Sequence, residues 1–528
     1  MTRYRGARAT AAALAGVLAL AACTADEPAP PAPTTTMPPT PTSPTGGTPA
    51  PSATADGGTG GWAGLGEGTP VGEPGPELVG LGAKWDWSRA AQTADWIGRS
   101  GGGPTFYEVV WCDVEPREGE RDWSSVDQVL DRAEDLGVDL GSFLLKVRVG
   151  RCWATGGTAE HPRGGGGGTR GKTESAPPLD AAAYADFVTE LVGRGAERGV
   201  RSWAVENEVN APAFWAGSAQ EYADLARGAA AAVRAADPGA RVLDSGVSSV
   251  AHGYGVVRHV QRTAGDEAAV EAWNAYYANR IGTRGQQLPR VDDAAALADV
   301  LAGEPAQRSL DQLDVVDELV ADGTVDARQV HFYEPWDQVG PLFAYLRDAT
   351  PADVPLEVWE LGAFARGGEA PDAEPAARDA DVLRATAAVL AEGATVAVWL
   401  PLAVNPQGRN PDEPRWGLLD GGGRERGASA GFTALAQAAD RGGVRAVPLA
   451  TGAVRGVALV GGTGFAVTAV VWADEAPVPL GADLDAVATV TTDGAGVAAS
   501  PPADDGEVGG APVVVTAPDL DALVAGLA

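Results

Sequence analysis

The chain is poor in the residues that usually hold metal ions or bind polyanions. Its 528 residues include three cysteines and four histidines, and the histidines lack the spacing of a zinc site. Lys and Arg number 39 against 71 Asp and Glu, which gives a formal net charge of −32. A surface this acidic repels nucleic acid, although a bias in the composition of the host produces the same charge. We therefore predict no metal, no cofactor and no nucleic-acid partner.

The sequence also lacks a convincing membrane-spanning run. A basic start with three arginines precedes the apolar stretch 11–20, which is too short to cross a bilayer. This order predicts an export signal over residues 1–22. The segment Leu-Ala-Ala-Cys that ends at Cys23 resembles the bacterial lipobox, which implies a lipid on Cys23 and a place on the extracellular face of the cell membrane. The alternative is an ordinary secretory peptide and a secreted protein.

Large apolar residues are scarce between residues 23 and 77, where Pro, Thr, Ala and Gly dominate. Such a segment cannot bury enough surface to offset the entropy of ordering, so we predict a disordered tether. The remaining chain, roughly 450 residues, is long enough for one large and one small domain. We place these domains at residues 78–443 and 444–528.

Short β-type runs alternate with helical runs through the large domain, which predicts an α/β fold with parallel strands. Eight such pairs predict a (β/α)₈ TIM barrel, whose extra length lies mainly after the third strand and at residues 251–324. The predicted strands are 78–85, 105–111, 140–147, 202–207, 241–245, 329–333, 356–360 and 395–400. The Val- and Thr-rich runs 454–460, 464–472 and 486–492 predict a small antiparallel β-sandwich.

The carboxyl ends of barrel strands carry the chemistry of this fold. Glu208 and Glu360 stand at the predicted tips of strands four and seven, and two facing carboxyl groups are what glycoside hydrolysis requires. The other residues at strand tips are rich in Trp, amide and carboxylate, which suit sugar rings and hydroxyls. They are Trp85, Trp87, Trp111, Asp113, Lys146, Arg148, Asn207, His331, Tyr333 and Trp399.

Four segments resemble clan A glycoside hydrolases, with a leaning towards family 39. Trp-Ala-Val-Glu-Asn-Glu-Val-Asn, residues 203–210, is similar to the strand-four motif whose Asn-Glu pair supplies the acid/base. Val-Trp-Glu-Leu-Gly around Glu360 resembles the strand-seven nucleophile motif, and His331-Phe-Tyr333 matches the strand-six position. Residues 110–127 are similar to the strand-two segment. Val209 departs from the pattern because Pro is usual there, and strand three ends in Lys and Arg where many relatives have an aromatic residue or His.

The resemblance implies a retaining glycosidase that acts on an extracellular oligo- or polysaccharide or a glycoside. Glu360 would be the nucleophile and Glu208 the acid/base, while Tyr333 would orient Glu360 and Asn207 would bind the 2-hydroxyl. Substrate contacts are further predicted for a set of aromatic and basic residues at the strand tips. This set is His331, Trp399, Trp111, Trp85 and Lys146. Each of the tryptophans is otherwise a core residue.

Some alternatives remain open at this point. Glu206 and Glu357 lie beside the two candidate carboxylates, and alternation along a strand allows Glu206 to point the same way as Glu208. Cys112 and Cys152 follow the second and third strands and form either a disulfide, as export favours, or two buried thiols. At the level of function, the chain is alternatively a non-catalytic carbohydrate-binding lipoprotein or a structural envelope protein.

Overall fold

The structure is a computed structural model that describes most of the chain after residue 60. The described residues are 61–65, 69–155, 174–281, 288–363, 375–404, 415–461, 464–474, 476–481, 484–489 and 506–528. The predicted signal peptide, Cys23 and most of the tether lie outside them. Residues 58–528 form one compact unit. Among the described residues, every helix is too short or too polar to cross a bilayer.

Eight parallel strands confirm the predicted barrel. They are β1 (Gly80–Ala83), β2 (Phe106–Val110), β3 (Leu144–Arg148), β4 (Ser202–Val205), β5 (Arg241–Leu243), β6 (Arg328–Phe332), β7 (Leu356–Leu361) and β8 (Val396–Trp399). They pair in two halves, in the orders β1-β8-β7-β6 and β2-β3-β4-β5. Parallel bridges from Leu243 to Ala327 and from Val247 to Val330 join β5 to β6. At the other junction Gly82 permits close approach, since a Cβ there would lie 2.0 Å from the Pro104 carbonyl oxygen.

Helices cover the outside of the barrel and bury both faces of its strands, which explains the continuous apolar runs of the strand sequences. Several helices begin at residues that satisfy free amide groups: Asp180 caps the helix Ala181–Glu197, and Ser218 forms a capping box with Glu221 at the start of the helix Ala219–Ala236. The helices after the strands are α1 (Ala90–Arg99), α2 (Trp111–Val114), α3 (Ser124–Asp135), α4 (Ala181–Glu197), α5 (Ala219–Ala236), α6 (Ser249–Ala264), α7 (Asp266–Tyr276), α8 (Ala294–Leu301), α9 (Glu304–Ala321), α10 (Val339–Ala349), α11 (Pro375–Ala391) and α12 (Ser429–Ala439). Most of the described residues between 251 and 324 lie in the four helices α6 to α9.

The barrel interior holds a small hydrophobic cluster beneath the carboxyl ends of the strands. Phe106, Leu144 and Ala204 belong to it, together with Trp359 and Val398. Two positions beyond Leu144 on the same strand stands Lys146, and alternation places its side chain on the same inner face. The polar residues of the mouth therefore stand on an apolar floor.

The described C-terminal region forms two antiparallel sheets. The five-stranded sheet has the order 485–489, 513–517, 467–473, 454–460 and 445–451, and the two-stranded sheet pairs 478–479 with 507–508. Alternate residues face opposite layers: Val470 and Trp472 join the core of the barrel, while Val471 faces Leu523 of the last helix. The elements are β9 (Arg445–Thr451), β10 (Val454–Val460), β11 (Val467–Ala473), β12 (Val478–Pro479), β13 (Asp485–Thr489), β14 (Glu507–Val508), β15 (Val513–Ala517) and α13 (Leu520–Leu527). The second layer predicted for a sandwich is thus a two-stranded sheet with a helix.

The predicted tether ends earlier than residue 77. Trp62 packs edge-on against Trp336 and Trp472, with ring centroids 6.4 and 5.3 Å away. Further along, Val71 and Leu449 form an antiparallel bridge. The prediction of disorder is therefore wrong for residues 61–65 and 69–77, because one tryptophan and a few backbone hydrogen bonds attach a Pro- and Gly-rich segment to the sheet.

Candidate active site

Glu360 reaches the barrel mouth because β7 contains a bulge. Val330 of β6 pairs with Val358, but the next residue, His331, pairs with Glu360, so Trp359 is the extra residue. A bulge interrupts strict alternation and re-aims the side chain that follows it. Trp359 belongs to the interior cluster, and Glu360 nonetheless points to the mouth as well.

Positive charges and a hydroxyl surround the Glu360 carboxylate, which is only 6% exposed. Lys146 Nζ lies 3.0 Å from Oε1, and the Tyr333 hydroxyl donates to Oε2 at 2.6 Å. Burial alone would raise the pKa of Glu360, but His331, Lys146 and Arg415 act against it together with the Tyr333 hydroxyl. Their combined effect holds the pKa of Glu360 well below its usual range, so this group is a carboxylate at neutral pH.

Glu208 lies beyond the end of β4 on a left-handed stretch of backbone. Glu206 and Glu208 have φ angles of 68° and 43°, which non-glycine residues adopt at a cost of roughly 1–3 kcal/mol each. The amide of Glu208 turns away from β3 and lies 3.2 and 3.1 Å from the carbonyl oxygens of Ser245 and Gly246. The chain therefore leaves the strand at this point and aims Glu208 at the mouth.

The two carboxylates converge on His331. Nδ1 of this ring lies 3.1 Å from Glu208 Oε1 and 3.5 Å from Glu360 Oε2. One oxygen of each carboxylate and a ring nitrogen of His331 all lie within 4.8 Å of one another. On the other side of the ring, Gln329 Oε1 lies 3.2 Å from His331 Nε2. The side-chain nitrogen Nε2 of Gln329 donates to the Asp244 carbonyl oxygen at 2.7 Å. Gln329 thus fixes the orientation of the imidazole.

Lys146 joins the remaining members of the cluster. Its fully buried ammonium donates to Asn207 Oδ1 at 2.8 Å, in addition to Glu360, and lies 3.3 Å from His331 Nε2. Since the Asn207 oxygen accepts from Lys146, the amide nitrogen of Asn207 remains available as a donor. The structure therefore brings six of the predicted site residues together: Glu208, Glu360, Asn207, His331, Tyr333 and Lys146.

The predicted tryptophans lie deeper than a sugar platform requires. Trp111 is 1% exposed, stacks on Phe187 of α4 and donates to Glu115, which corrects its assignment as a surface for a sugar ring. Trp85 and Trp399 follow or end β1 and β8, and both are buried as well. The sequence could not separate these cases because a core tryptophan and a platform tryptophan occupy the same strand positions.

The two neighbouring glutamates have partners of their own. Glu357 is fully buried and bound by Arg241 at 2.7 Å and by the indole of Trp359 at 2.8 Å. Glu206 is fully buried beside Arg148, 3.5 Å from its Nε. Both carboxylates are buried against an arginine, whereas Glu208 and Glu360 meet at His331.

Cys112 and Cys152 form a disulfide in the structure, with their Cα atoms 5.6 Å apart. The bridge ties the start of α2 to the loop after β3. That loop leaves the described residues at position 155, before the glycine run at 164–168.

Three further residues of the site were not predicted from the sequence: Gln329, Lys84 and Arg415. Gln329 precedes His331 by two positions, so strand alternation is the signal that would have found it. Lys84 donates to the Phe106 carbonyl oxygen at 2.6 Å; burial and the charge of Lys146 lower the pKa of Lys84 to about 8, against the opposing charge of Glu108. The Arg415 guanidinium lies 4.0 Å from the centre of the Tyr333 ring.

The spacing of Glu208, His331 and Glu360 is short enough for one cation to contact all three. However, Lys146 already places a positive charge 3.0 Å from Glu360 and 3.3 Å from His331, and this charge repels a divalent ion. The charge distribution of the cluster therefore disfavours a divalent cation.

The comparisons with known proteins support the fold. No family model matches the chain, and no curated protein matches it. Among solved structures, a family 39 β-xylosidase from Caulobacter crescentus is similar at a TM-score of 0.52 and 14% identity, over 85% of this chain and 98% of that chain. A family 39 glycoside hydrolase from Bacteroides cellulosilyticus WH2 is similar at a TM-score of 0.51 and 13% identity, over 84% and 81%. At these identities the likeness shows the fold alone, a parallel α/β core like that of TIM-barrel glycosidases.

Proposed function

We propose that the protein is a retaining glycoside hydrolase in which Glu360 is the nucleophile and Glu208 the acid/base. The observation that carries this proposal is the approach of the two carboxylates, whose nearest oxygens lie within 4.8 Å. Retaining enzymes hold these groups about 5–5.5 Å apart, whereas inverting enzymes leave about 6.5–9.5 Å for a water molecule. The spacing therefore favours direct attack by a carboxylate.

In the first step the Glu360 carboxylate attacks the anomeric carbon, and the bond to the leaving oxygen breaks. Glu208, protonated at this stage, gives its proton to that oxygen. The lowered pKa of Glu360 keeps the nucleophile anionic, and Tyr333 and Lys146 hold its two oxygens in place. In the second step Glu208, now a carboxylate, takes a proton from water, which attacks the same carbon and releases Glu360.

Asn207 and His331 would assist the same steps. Because Lys146 fixes the amide oxygen of Asn207, the amide nitrogen is free to donate to the 2-hydroxyl of the sugar, a contact that strengthens in the transition state. His331 Nδ1 lies beside both carboxylates, so a change in the charge of either carboxylate acts on the other through this ring. We infer a carbohydrate substrate, and the sequence alone supports an extracellular, lipid-anchored location through Cys23.

The test is a panel of 4-nitrophenyl glycosides of both anomeric configurations. Turnover is expected for at least one sugar, NMR should detect a first product with the anomeric configuration of the substrate, and Glu360→Gln should abolish the reaction. A first product of inverted configuration would contradict the retaining mechanism. Sugar binding without any turnover would instead indicate the non-catalytic carbohydrate-binding protein that the sequence left open.

A further inference from the structure

Glu206 is a fully buried carboxylate for which the proposed reaction has no use. It stands two residues before Glu208, immediately after the last residue of β4, and its own backbone is left-handed. Burying an acid in such a place is costly unless its charge and its oxygens are compensated. The contacts of this side chain therefore indicate what it does.

The Glu206 side chain takes the place of a backbone group in the sheet. The amide of Glu206 donates to the Val147 carbonyl oxygen at 2.9 Å, as the parallel ladder of β3 and β4 requires. In a continued ladder the Val149 amide would donate to the carbonyl oxygen of Glu206. It donates instead to the side-chain oxygen Oε1 of Glu206, at 2.7 Å. The backbone of Glu206 is thereby released from the ladder and can turn into its left-handed conformation.

Arg148 and Ser175 complete the support of this carboxylate. Arg148 Nε lies 3.5 Å from Glu206 Oε2, and the same guanidinium is held by Glu108 at 3.0 Å and by the Phe214 carbonyl oxygen at 3.3 Å. The Ser175 hydroxyl also bonds to Glu206. The charge is thus paired with a guanidinium that cannot easily move away.

We propose that Glu206 is the positioning residue of the acid/base: by replacing its own carbonyl group in the β3–β4 ladder, it holds the left-handed turn that aims Glu208 at the glycosidic oxygen. This inference rests on the proposed function. It assigns a role to Glu206, which the sequence presents only as a rival to Glu208, and to its partner Arg148. The backbone strain at residues 206 and 208 is then part of the site, since strain of this kind persists where surrounding contacts enforce it.

The dependence on the leaving group tests the proposal. Proton donation by Glu208 matters for a phenyl or sugar leaving group but hardly for 2,4-dinitrophenolate, which departs without a proton. If Glu206→Gln misplaces Glu208, kcat/KM for the phenyl glycoside should fall about ten- to a hundredfold, a part of the 10²–10⁴ that general acid catalysis supplies. For the dinitrophenyl glycoside of the same sugar, kcat/KM should fall by less than about threefold. Ser175→Ala, a milder change at the same carboxylate, should show the same selectivity with a smaller loss.

Glu357→Gln is the matched control, because Glu357 is also a buried, arginine-paired glutamate but lies near the amino end of β7. It should lower the melting temperature and affect both substrates equally. The proposal is overturned if Glu206→Gln and Ser175→Ala lower kcat/KM equally for both substrates, as expected for Glu357→Gln. It is also overturned if neither variant lowers kcat/KM for either substrate. Wild-type protein that hydrolyses no glycoside would overturn the proposed function and this role with it, whereas a wild type that is active with unselective variants would overturn this role alone.

Discussion

The tips of β4 and β7 both present a glutamate to the barrel mouth, but they do so by different means. At β7 a bulge re-aims Glu360 while the strand continues to Leu361. At β4 the strand ends at Val205, and left-handed backbone turns Glu208 towards the mouth. One device keeps the carboxylate within the sheet, and the other takes it out of the sheet.

The surroundings of the two carboxylates differ in the same sense. The side chain of Glu360 is 8% exposed and meets an ammonium, an imidazole and a phenol, all of which favour its anionic form. The side chain of Glu208 is 12% exposed and contacts the same imidazole nitrogen, Nδ1 of His331, at 3.1 Å. A nucleophile must remain charged and fixed, whereas an acid/base must exchange protons with the leaving group and with water. The comparison therefore matches the roles we propose.

Removing either carboxylate should have the largest effect on activity. Glu360→Ala and Glu208→Ala should each lower turnover, by about 10²–10⁴-fold for the loss of the general acid and by more for the loss of the nucleophile. Added azide can occupy either vacated place. With Glu208→Ala it should attack the glycosyl-enzyme and give a glycosyl azide of retained configuration, but with Glu360→Ala it should attack the substrate and give the inverted azide. NMR of the products checks this, and identical configurations from both variants would break the comparison.

Removing the ammonium beside Glu360 should have the next largest effect. Lys146→Met should lower kcat about a hundredfold, because it deletes charge-assisted hydrogen bonds to Glu360 and Asn207. It should also raise the pKa of Glu360, which Lys146 helps to lower. The nucleophile is active as a carboxylate, so activity is lost as the pH falls through this pKa. The acidic limb of the pH–kcat/KM profile should therefore move to higher pH.

Lys146→Gln is the companion variant, since it keeps a donor but removes the charge. It should move the acidic limb in the same direction while retaining more of the rate. An acidic limb that stays in place in both variants would show that the ammonium does not set the charge of Glu360.

Both strand tips could be located from the sequence, but the geometry of each could not. Parallel strands buried on both faces give continuous apolar runs, and the residue after each run falls at the mouth, which is how Glu208 and Glu360 were found. The bulge at Trp359 and the left-handed turn at Glu206 depend on contacts with other strands. Local sequence carries no record of those contacts, so the supporting role of Glu206 was not predicted.

The same limit explains the errors elsewhere in the molecule. Trp111 stands at a strand tip and was assigned to sugar binding, but α4 covers it. Residues 61–77 have the composition of a tether, yet Trp62 finds a site between Trp336 and Trp472. In both cases an element distant in the sequence determines whether the residue is buried, whereas composition and periodicity reflect only residues nearby in the sequence.

A smaller effect is expected from the hydroxyl that holds the other oxygen of Glu360. Tyr333→Phe removes a hydrogen bond of 2.6 Å without changing the shape of the ring. One charge-assisted hydrogen bond contributes roughly 1.5–3 kcal/mol, and a loss at the lower end of this range corresponds to a fall in kcat of about tenfold. The same substitution should leave azide rescue of Glu208→Ala possible. An unchanged kcat would mean that Lys146 alone orients the nucleophile.

The smallest effect on catalysis should come from the disulfide on the β3 side of the mouth. Cys112 and Cys152 are 40 residues apart, and closing a loop of that length stabilises the folded state by up to ~4 kcal/mol through the entropy of the unfolded chain. Reduction should therefore lower the melting temperature, while activity at low temperature changes little, since the sulfurs lie outside the described contacts of Glu208 and Glu360.

The double variant Cys112→Ala/Cys152→Ala should reproduce the reduced protein, and Cys23→Ser should respond to reductant like the wild type. The Gly150 amide donates to Ser175, and Ser175 supports Glu206, so loosening this loop acts on the β4 tip before it acts on β7. Any loss of activity after reduction should consequently be greater for phenyl than for dinitrophenyl glycosides. An equal loss of activity with both substrates would show that the disulfide stabilises the fold as a whole and does not act through Glu206.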